Sequence, residues 1–190
     1  MFRFILQCLQ MIRDTVKFVL IILLIVIPVR VFVAQPFIVN GASMDPTFGH
    51  GEYLIVDQIS YRFNEPERGD VIVFKYPNDQ RQFFIKRVIG LPGETIKITN
   101  TSVIIYNDNY PEGKELEEPY LKNKPIRYGR HELETTLDSS EYFVLGDNRS
   151  ESSDSRTWGS LKRHLIVGRP LVRLLPPSSV SLFPGLHSED

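Results

Sequence analysis

An uninterrupted apolar run near the N-terminus places the strongest limit on how this chain can fold. From Phe18 to Val29 the sequence reads FVLIILLIVIPV, and apolar residues continue after Arg30. Counted through Arg30, whose charged end can extend toward lipid headgroups, the segment has about the 20 residues that a bilayer requires. The sequence therefore predicts a transmembrane anchor over residues 18–35, preceded by a short cytoplasmic segment over residues 1–17.

The charges that flank this run set its expected orientation. Arg3, Arg13 and Lys17 precede it, and basic residues favour the cytoplasmic side of a membrane. The rest of the chain is therefore predicted to lie on the extracytoplasmic side of the plasma membrane, after a single span. A cleavable signal peptide has the same basic start and apolar centre, and it is the alternative interpretation. The sequence AQPF at residues 34–37 lacks a small-x-small cleavage pattern, which favours a retained anchor.

Downstream of the anchor, short apolar runs alternate with turn residues. Gly, Pro, Asn and Asp separate the runs, and no run has the length and 3.6-residue period of a substantial helix. This pattern predicts a mainly β protein, with an antiparallel β-sheet domain, sandwich- or barrel-like, over residues 36–175. The predicted strands are 37–39, 53–56, 71–74, 83–89, 95–99, 103–106, 142–145 and 165–167.

Two stretches depart from the strand pattern. Residues 107–140 are more charged and less regular, and we interpret them as a solvated insertion in the β domain. Residues 176–190 are predicted to leave the fold as a C-terminal tail, with the last residues loose. The acidic cluster of the insertion consists of Glu112, Glu115, Glu117 and Glu118.

The composition excludes several classes of function. Lys+Arg number 22 and Asp+Glu number 23, so the chain has no general basic field that would hold nucleic acid. The single cysteine, Cys8, precedes the apolar run and allows neither an internal disulfide nor a cysteine metal site. The four histidines are scattered without metal-ligand spacing, so neither a metal nor another cofactor is expected.

A serine lies just after the predicted membrane exit, in the short turn GASMDPT that contains Ser43. A serine hydroxyl is a poor nucleophile until a base takes its proton, so this chemistry requires a partner. No histidine lies in a context that argues for this role. The histidines, which we interpret as surface residues, are His50, His131, His164 and His187.

Lys86 is the better candidate for the base. Strand alternation places Lys86 on one face with Phe84 and Val88. Apolar neighbours desolvate an ammonium group, and desolvation can lower its pKa from about 10.4 to about 7–8. A lysine on a strand is more often a surface residue, but a third segment, residues 146–156, is dense in small polar and charged residues. That segment could support a buried amine, although an exposed loop is its simpler interpretation.

Together these segments resemble the type I signal peptidases, a family of membrane-bound Ser/Lys proteases. The matching motifs are SMxPT from Ser43, RGDV from Arg68, IKRVIGLPGE from Ile85 and GDNRxxSxDSR from Gly146. They occur in the family's order after an anchor, and the resemblance covers roughly residues 18–175.

The resemblance implies a role for each matched residue. Ser43 would be the nucleophile, Lys86 the general base, and Ser152 would hydrogen-bond the lysine amine and orient it. The Ser43 backbone N–H would hold the oxyanion, beside a turn in which Gly41 replaces a serine that some members carry. The motif residues implied to be structural are Arg87, Asp147, Asp154 and Arg156.

The implied function is a membrane-bound serine endopeptidase that removes signal peptides from exported preproteins through an acyl-enzyme. The expected partners are preproteins with small side chains at the −1 and −3 positions and the lipid bilayer; the chain is expected to be monomeric and to bind no nucleic acid. A shallow apolar groove would take the peptide as an added strand. Its expected walls are Phe37, Ile38 and Val39 with Phe83, Phe84 and Ile85.

Two other functions remain open at this point. One is a membrane-tethered β domain that binds peptides without catalysis, which would not need Ser43, Lys86 and Ser152 together. The other is a related Ser/Lys enzyme with a narrower task, such as self-cleavage. Self-cleaving repressors of similar chemistry carry a DNA-binding domain where this chain has an apolar run.

Overall fold

The computed structural model describes residues 2–28, 34–121 and 132–186. Helix α1 (Phe2–Pro28) comes first, and two short helices, α2 (Ser60–Phe63) and α3 (Ser155–Trp158), lie between strands. The strands are β1 (Ala34–Ile38), β2 (Tyr53–Asp57), β3 (Val71–Tyr76), β4 (Asp79–Gly90), β5 (Thr95–Ile98), β6 (Val103–Asn107), β7 (Tyr110–Glu115), β8 (Leu133–Thr136), β9 (Glu141–Leu145), β10 (Leu161–Lys162), β11 (Ile166–Leu175) and β12 (Ser181–Leu182). Two 3-10 turns lie at Arg163–Leu165 and Pro177–Ser179.

Helix α1 contains part of the predicted anchor. Within the described ranges, no helix combines the length and the apolar character needed to cross a membrane. The charged residues Arg13, Asp14 and Lys17 lie in α1, and residues 29–33 of the predicted anchor are outside the described residues. A transmembrane span over residues 18–35 therefore stays a prediction.

The larger sheet carries most of the domain and confirms the expected antiparallel β architecture. Its strand order is β1-β2-β11-β3-β4-β9-β10, and β12 pairs with β11. Strand β4 is the longest and lies between β3 and β9. One face of the sheet packs on a buried cluster that includes Ile72, Phe74, Val88 and Val144. This packing fixes β4, the strand that carries Lys86.

A second sheet is built partly from the segment that we interpreted as a solvated insertion. Its strand order is β7-β6-β5-β8. Two of these strands, β7 and β8, lie within residues 107–140. The described part of the segment therefore contains two regular strands that the sequence did not predict, and most of their side chains are exposed. Residues 122–131 lie outside the described residues. The sequence did not predict strand β7, because most of its side chains are exposed and few are apolar. Burial of Ile96, Val103 and Leu137 holds the sheet to the rest of the domain.

Residues 181–185 pack back onto the domain, although the segment from Pro176 was predicted to leave the fold. Strand β12 pairs with β11, with Leu182 opposite Val172. The carbonyl of Gly185 accepts a hydrogen bond of 2.7 Å from Nη1 of the buried Arg87. Sequence reasoning missed this return because Pro176 and Pro177 are typical of an exit from a fold. Residues 187–190 lie outside the described residues.

Candidate active site

The turn that carries Ser43 is held by two buried apolar side chains. Met44 and Phe48 belong to the segment that joins β1 to β2, and they pack in a buried cluster with Val39 and Leu54. Because the residues on either side of the serine's turn are fixed in the core, the hydroxyl is presented from a rigid base. This anchoring follows from the sequence pattern of apolar residues one and five positions after Ser43.

The backbone of the turn depends on a glycine. Gly41 has φ of +95°, in the left-handed region that favours glycine. Its N–H donates a 3.1 Å hydrogen bond to Nδ1 of His50. His50 is exposed, as expected, but it supports the turn through this contact. His164 is likewise exposed, whereas His131 and His187 lie outside the described residues.

Lys86 meets Ser43 across the site. Its Nζ lies 2.7 Å from Oγ of Ser43 and 2.8 Å from the carbonyl oxygen of Ile85. The Lys86 residue is only 3% exposed, and the ring centroid of Phe84 is 5.3 Å from Nζ. The structure therefore brings together the two residues that the resemblance implies as nucleophile and base.

Burial lowers the pKa of Lys86 to about 8, because a charged amine loses its hydration there. The negative charges of Asp154 and Asp147 act in the opposite direction and limit the fall. At pH 7 about a tenth of such lysines are neutral, and at pH 8 about half. The amine can therefore accept a proton from Ser43 near physiological pH.

Ser152 does not make the contact that the resemblance implies. Its Oγ is buried and has no hydrogen-bond partner among the described residues, so the bond from Ser152 to Lys86 is not formed in this structure. Instead, Ser152 packs closely on Gly146. A Cβ on Gly146 would lie 2.2 Å from Oγ of Ser152 and 2.4 Å from the carbonyl oxygen of Ser43, so only glycine fits between these two serines.

The loop after β9, residues 146–154, contacts the turn of Ser43 directly, and we call it the site loop. The backbone N–H of Asn148 donates to the carbonyl of Ser43 at 3.0 Å, and its side-chain amide donates to the carbonyl of Ala42 at 3.1 Å. Sequence reasoning gave Asn148 no role. Its position within the GDNR motif was the available signal.

Arg87 and Asp147 tie the site loop to β4. Both side chains are 0% exposed, and they form two parallel hydrogen bonds of 2.9 and 2.7 Å. Thr47 donates its hydroxyl to the same carboxylate at 2.5 Å. The pair therefore joins three segments, the turn after Ser43, strand β4 and the site loop, by charge-assisted bonds.

Asp154 and Arg156 brace the far end of the site loop. The carboxylate of Asp154 accepts hydrogen bonds of 2.8 and 2.7 Å from Arg156, and one of 3.1 Å from the backbone N–H of Gly146. Asp154 also precedes α3, whose first turn it caps through the N–H of Arg156. These contacts bring both ends of the loop together.

A groove of about 580 Å³ opens beside Ser43 and Lys86. Its lining includes all the residues expected to form its walls: Phe37, Ile38, Val39, Phe83, Phe84 and Ile85. The rings of Phe37 and Phe83 meet edge to face, with centroids 5.2 Å apart. Strand β1 lies at the edge of the larger sheet, so a neighbouring extended chain has backbone groups to pair with.

Comparison with known proteins identifies the family. The family model for signal peptidase, peptidase S26, matches residues 12–175. The chain belongs to this family. The resemblance to signal peptidases is thereby confirmed, and with it the prediction that the chain is a peptidase.

Several curated relatives share most of their length with this chain. A protein named probable signal peptidase I-1 from Synechocystis is 37% identical over 89% of this chain and 85% of its own length. A signal peptidase I from Leptolyngbya laminosa is 42% identical over 78% of this chain and 72% of its own length. A crystal structure of a signal peptidase I from Enterococcus faecalis is 33% identical, with a TM-score of 0.47, over 56% of this chain and 97% of that one.

Proposed function

We propose that this chain removes N-terminal signal peptides from exported preproteins, with Ser43 as the nucleophile and Lys86 as the general base. The observation that carries the proposal is the 2.7 Å separation of Nζ of Lys86 and Oγ of Ser43, with the amine buried and its pKa lowered to about 8. The names of the curated relatives support the choice of substrate class.

Acylation begins when the neutral amine of Lys86 takes the Ser43 proton while Oγ attacks the scissile carbonyl carbon. The Oγ–C bond forms, and the C–N bond of the peptide then breaks as Lys86 gives the proton to the leaving amine. Lys86, neutral again, takes a proton from water as that water attacks the acyl-enzyme. The bond between the acyl carbon and Oγ of Ser43 then breaks, Lys86 returns the proton to Oγ, and the product leaves with a new carboxyl group.

The negative oxygen of the tetrahedral intermediate would be held by the backbone N–H of Ser43. The bond from Asn148 to the Ala42 carbonyl fixes the peptide plane that contains this N–H, and its bond to the Ser43 carbonyl fixes the next plane. The bond from Gly41 to His50 supports the start of the same turn. A donor that is already oriented needs no reorganisation as charge develops on the oxygen.

The groove favours an extended peptide with small side chains near the scissile bond. Such a peptide would pair with the edge of β1, and the rings of Phe37 and Phe83 would form part of the apolar wall that it contacts. Ser43 is nine positions after Ala34, so the nucleophile lies at most about 30 Å along the chain from the end of the predicted anchor. Attachment to the bilayer, an extracytoplasmic catalytic domain and a monomeric state belong to this proposal.

The proposal is tested by cleavage of a preprotein in detergent by wild type, Ser43→Ala and Lys86→Ala side by side. We expect cleavage at a single site by wild type and none by either variant, with all three proteins folded by circular dichroism. A folded Lys86→Ala protein with near-normal activity would refute the dyad. Binding of the preprotein by wild type without any cleavage would instead support a peptide-binding module.

A further inference from the structure

A buried ion pair links the second sheet to the site loop. The side chains of Glu118 and Arg149 are 3% and 4% exposed. The carboxylate accepts hydrogen bonds from both terminal nitrogens of the guanidinium. Glu118 belongs to the acidic cluster that the sequence suggested was solvated. A charge pair removed from water this completely holds a defined geometry, because either partner left alone would be a buried uncompensated charge.

Arg149 passes this constraint to the backbone of the site loop. Its Nε donates to the carbonyl of Gly146 at 2.9 Å, and its own carbonyl accepts from Arg156 at 2.7 Å. Between these two bonds lies Asn148, which holds the Ala42 and Ser43 carbonyls. The position of Ser43 is thus connected to Glu118 through a short series of hydrogen bonds.

A second contact from the same segment supports the opposite side of the loop. The buried ring of Tyr120 lies under Arg87, with the guanidinium carbon 3.9 Å from the ring centroid. Tyr120 also donates its hydroxyl to Glu118 at 2.7 Å. The segment is itself fixed, since Leu116 and Leu121 pack on the core beneath the second sheet. Residues 116–121, which we call the small-sheet loop, therefore brace both arginines.

We infer that Glu118 is a positioning residue, which acts through Arg149 on the site loop and so fixes Ser43 beside Lys86. The inference rests on the proposed Ser43–Lys86 function and extends it to a residue that touches neither substrate nor dyad. A small displacement of a nucleophile from its base is enough to slow a reaction greatly, whereas substrate contacts in the groove are left in place.

The test uses the full chain in detergent and a peptide substrate with Ala at −1 and −3. For Glu118→Gln, which keeps the shape and removes the charge, we expect kcat per folded molecule to fall about tenfold or more, with KM within about twofold. We also expect the acidic limb of the pH–rate profile to move to higher pH. Loosening of the loop would admit water, and burial is the main cause of the low pKa of Lys86.

Glu94→Gln is the matched control. Glu94 is also a buried glutamate paired with an arginine, Arg68, at 2.7 Å, and it bonds Asn107 and the N–H of Leu91. None of these partners contacts the dyad. We expect this variant to lose stability while it keeps the wild-type kcat per folded molecule and the wild-type pH profile.

Glu118→Asp provides a second variant in case Glu118→Gln does not fold. It keeps the charge but withdraws it by one methylene, so we expect a partial loss of kcat. A folded Glu118 variant with the wild-type kcat and pH profile would overturn the inference, as would failure of both variants to fold, since the pair would then serve the whole domain. If the wild-type protein did not cleave the substrate, or if Ser43→Ala did cleave it, the proposed function itself would be overturned.

Discussion

Lys86 and Arg87 are consecutive residues of β4, both buried, yet only Arg87 has a carboxylate in hydrogen-bond contact. Arg87 makes two bonds to Asp147, whereas the Lys86 amine bonds the neutral Ser43 hydroxyl and the Ile85 carbonyl. Alternation along the strand directs the two cations to opposite faces of the sheet. The surroundings of Arg87 therefore stabilise its positive charge, whereas those of Lys86 favour the neutral amine.

Replacement of Lys86 by methionine should abolish cleavage and stabilise the fold. The lysine pKa falls from 10.5 to about 8, so burying the charged amine costs up to about 3 kcal/mol at neutral pH. The loss of two hydrogen bonds, each worth about 0.5–1.5 kcal/mol, offsets part of this, which leaves a gain of up to about 2 kcal/mol in the free energy of unfolding. Urea denaturation at pH 7 measures it, and a variant less stable than wild type would contradict the expected desolvation.

The same variant should change how stability depends on pH. Between about pH 8 and 10.5 the unfolded lysine still binds a proton that the folded one has lost, so wild-type stability rises with pH in this window. Lys86→Met lacks this contribution. The stability difference between the two proteins should therefore shrink as the pH is raised from 8 to 10.5. A constant difference in denaturation experiments across that range would mean that the pKa of Lys86 is not lowered.

Activity should fall in acid as Lys86 becomes charged. Below a pKa of about 8, each unit of pH should lower kcat/KM by about tenfold, because only the neutral amine accepts the Ser43 proton. Initial rates on a peptide substrate between pH 5.5 and 9, with circular dichroism to verify folding, provide the measurement. A rate that is flat from neutral to mildly acidic pH would exclude a titrating lysine as the base.

The pair of Arg87 and Asp147 should be among the strongest polar contributions to stability. Asp147→Asn leaves a buried arginine without its counter-charge, and we expect a loss of about 3–5 kcal/mol in the free energy of unfolding. Arg81→Gln is the control, because Arg81 pairs with Asp79 but is 90% exposed, and we expect no measurable change. Equal effects of the two substitutions in thermal or urea unfolding would contradict the importance of burial.

Gly41→Ala should slow cleavage more than its effect on stability suggests. Among the described residues, none apart from the two chain neighbours comes within 4 Å of the added Cβ, so the substitution acts through strain at φ of +95° and costs about 1 kcal/mol. Gly93→Ala is matched in both respects, with φ of +81° and open space. We expect similar stability losses for both, but a fall in kcat of about tenfold for Gly41→Ala alone. Equal kcat values for Gly41→Ala and Gly93→Ala would show that the Gly41 turn does not contribute to stabilisation of the oxyanion.

The β architecture and the burial of Lys86 could be predicted from sequence because each has a local signature. Runs such as 71–74 and 103–106 lie between turn residues, and desolvation of Lys86 follows from its apolar neighbours on β4. Strand β7, with the sequence YPEGKE, has no apolar face, and its pairing with β6 comes from backbone hydrogen bonds that the side chains do not reveal.

Contacts between distant charges were the main part that sequence could not supply. Glu118 looks like its exposed neighbours Glu115 and Glu117, and only its approach to Arg149 in three dimensions separates it from them. The implied bond from Ser152 to Lys86 fails for a related reason, since Gly146 allows the serine to pack against the backbone instead. Spacing along a chain carries no information about such choices.

The return of the C-terminal segment has a consequence for truncation. The buried guanidinium of Arg87 donates to the carbonyl of Gly185, a residue 98 positions later. Removal of the segment from β12 to Gly185 would leave this donor without one of its acceptors inside the protein. Residues far from Ser43 and Lys86 in the sequence therefore contribute to the environment of the strand that carries Lys86.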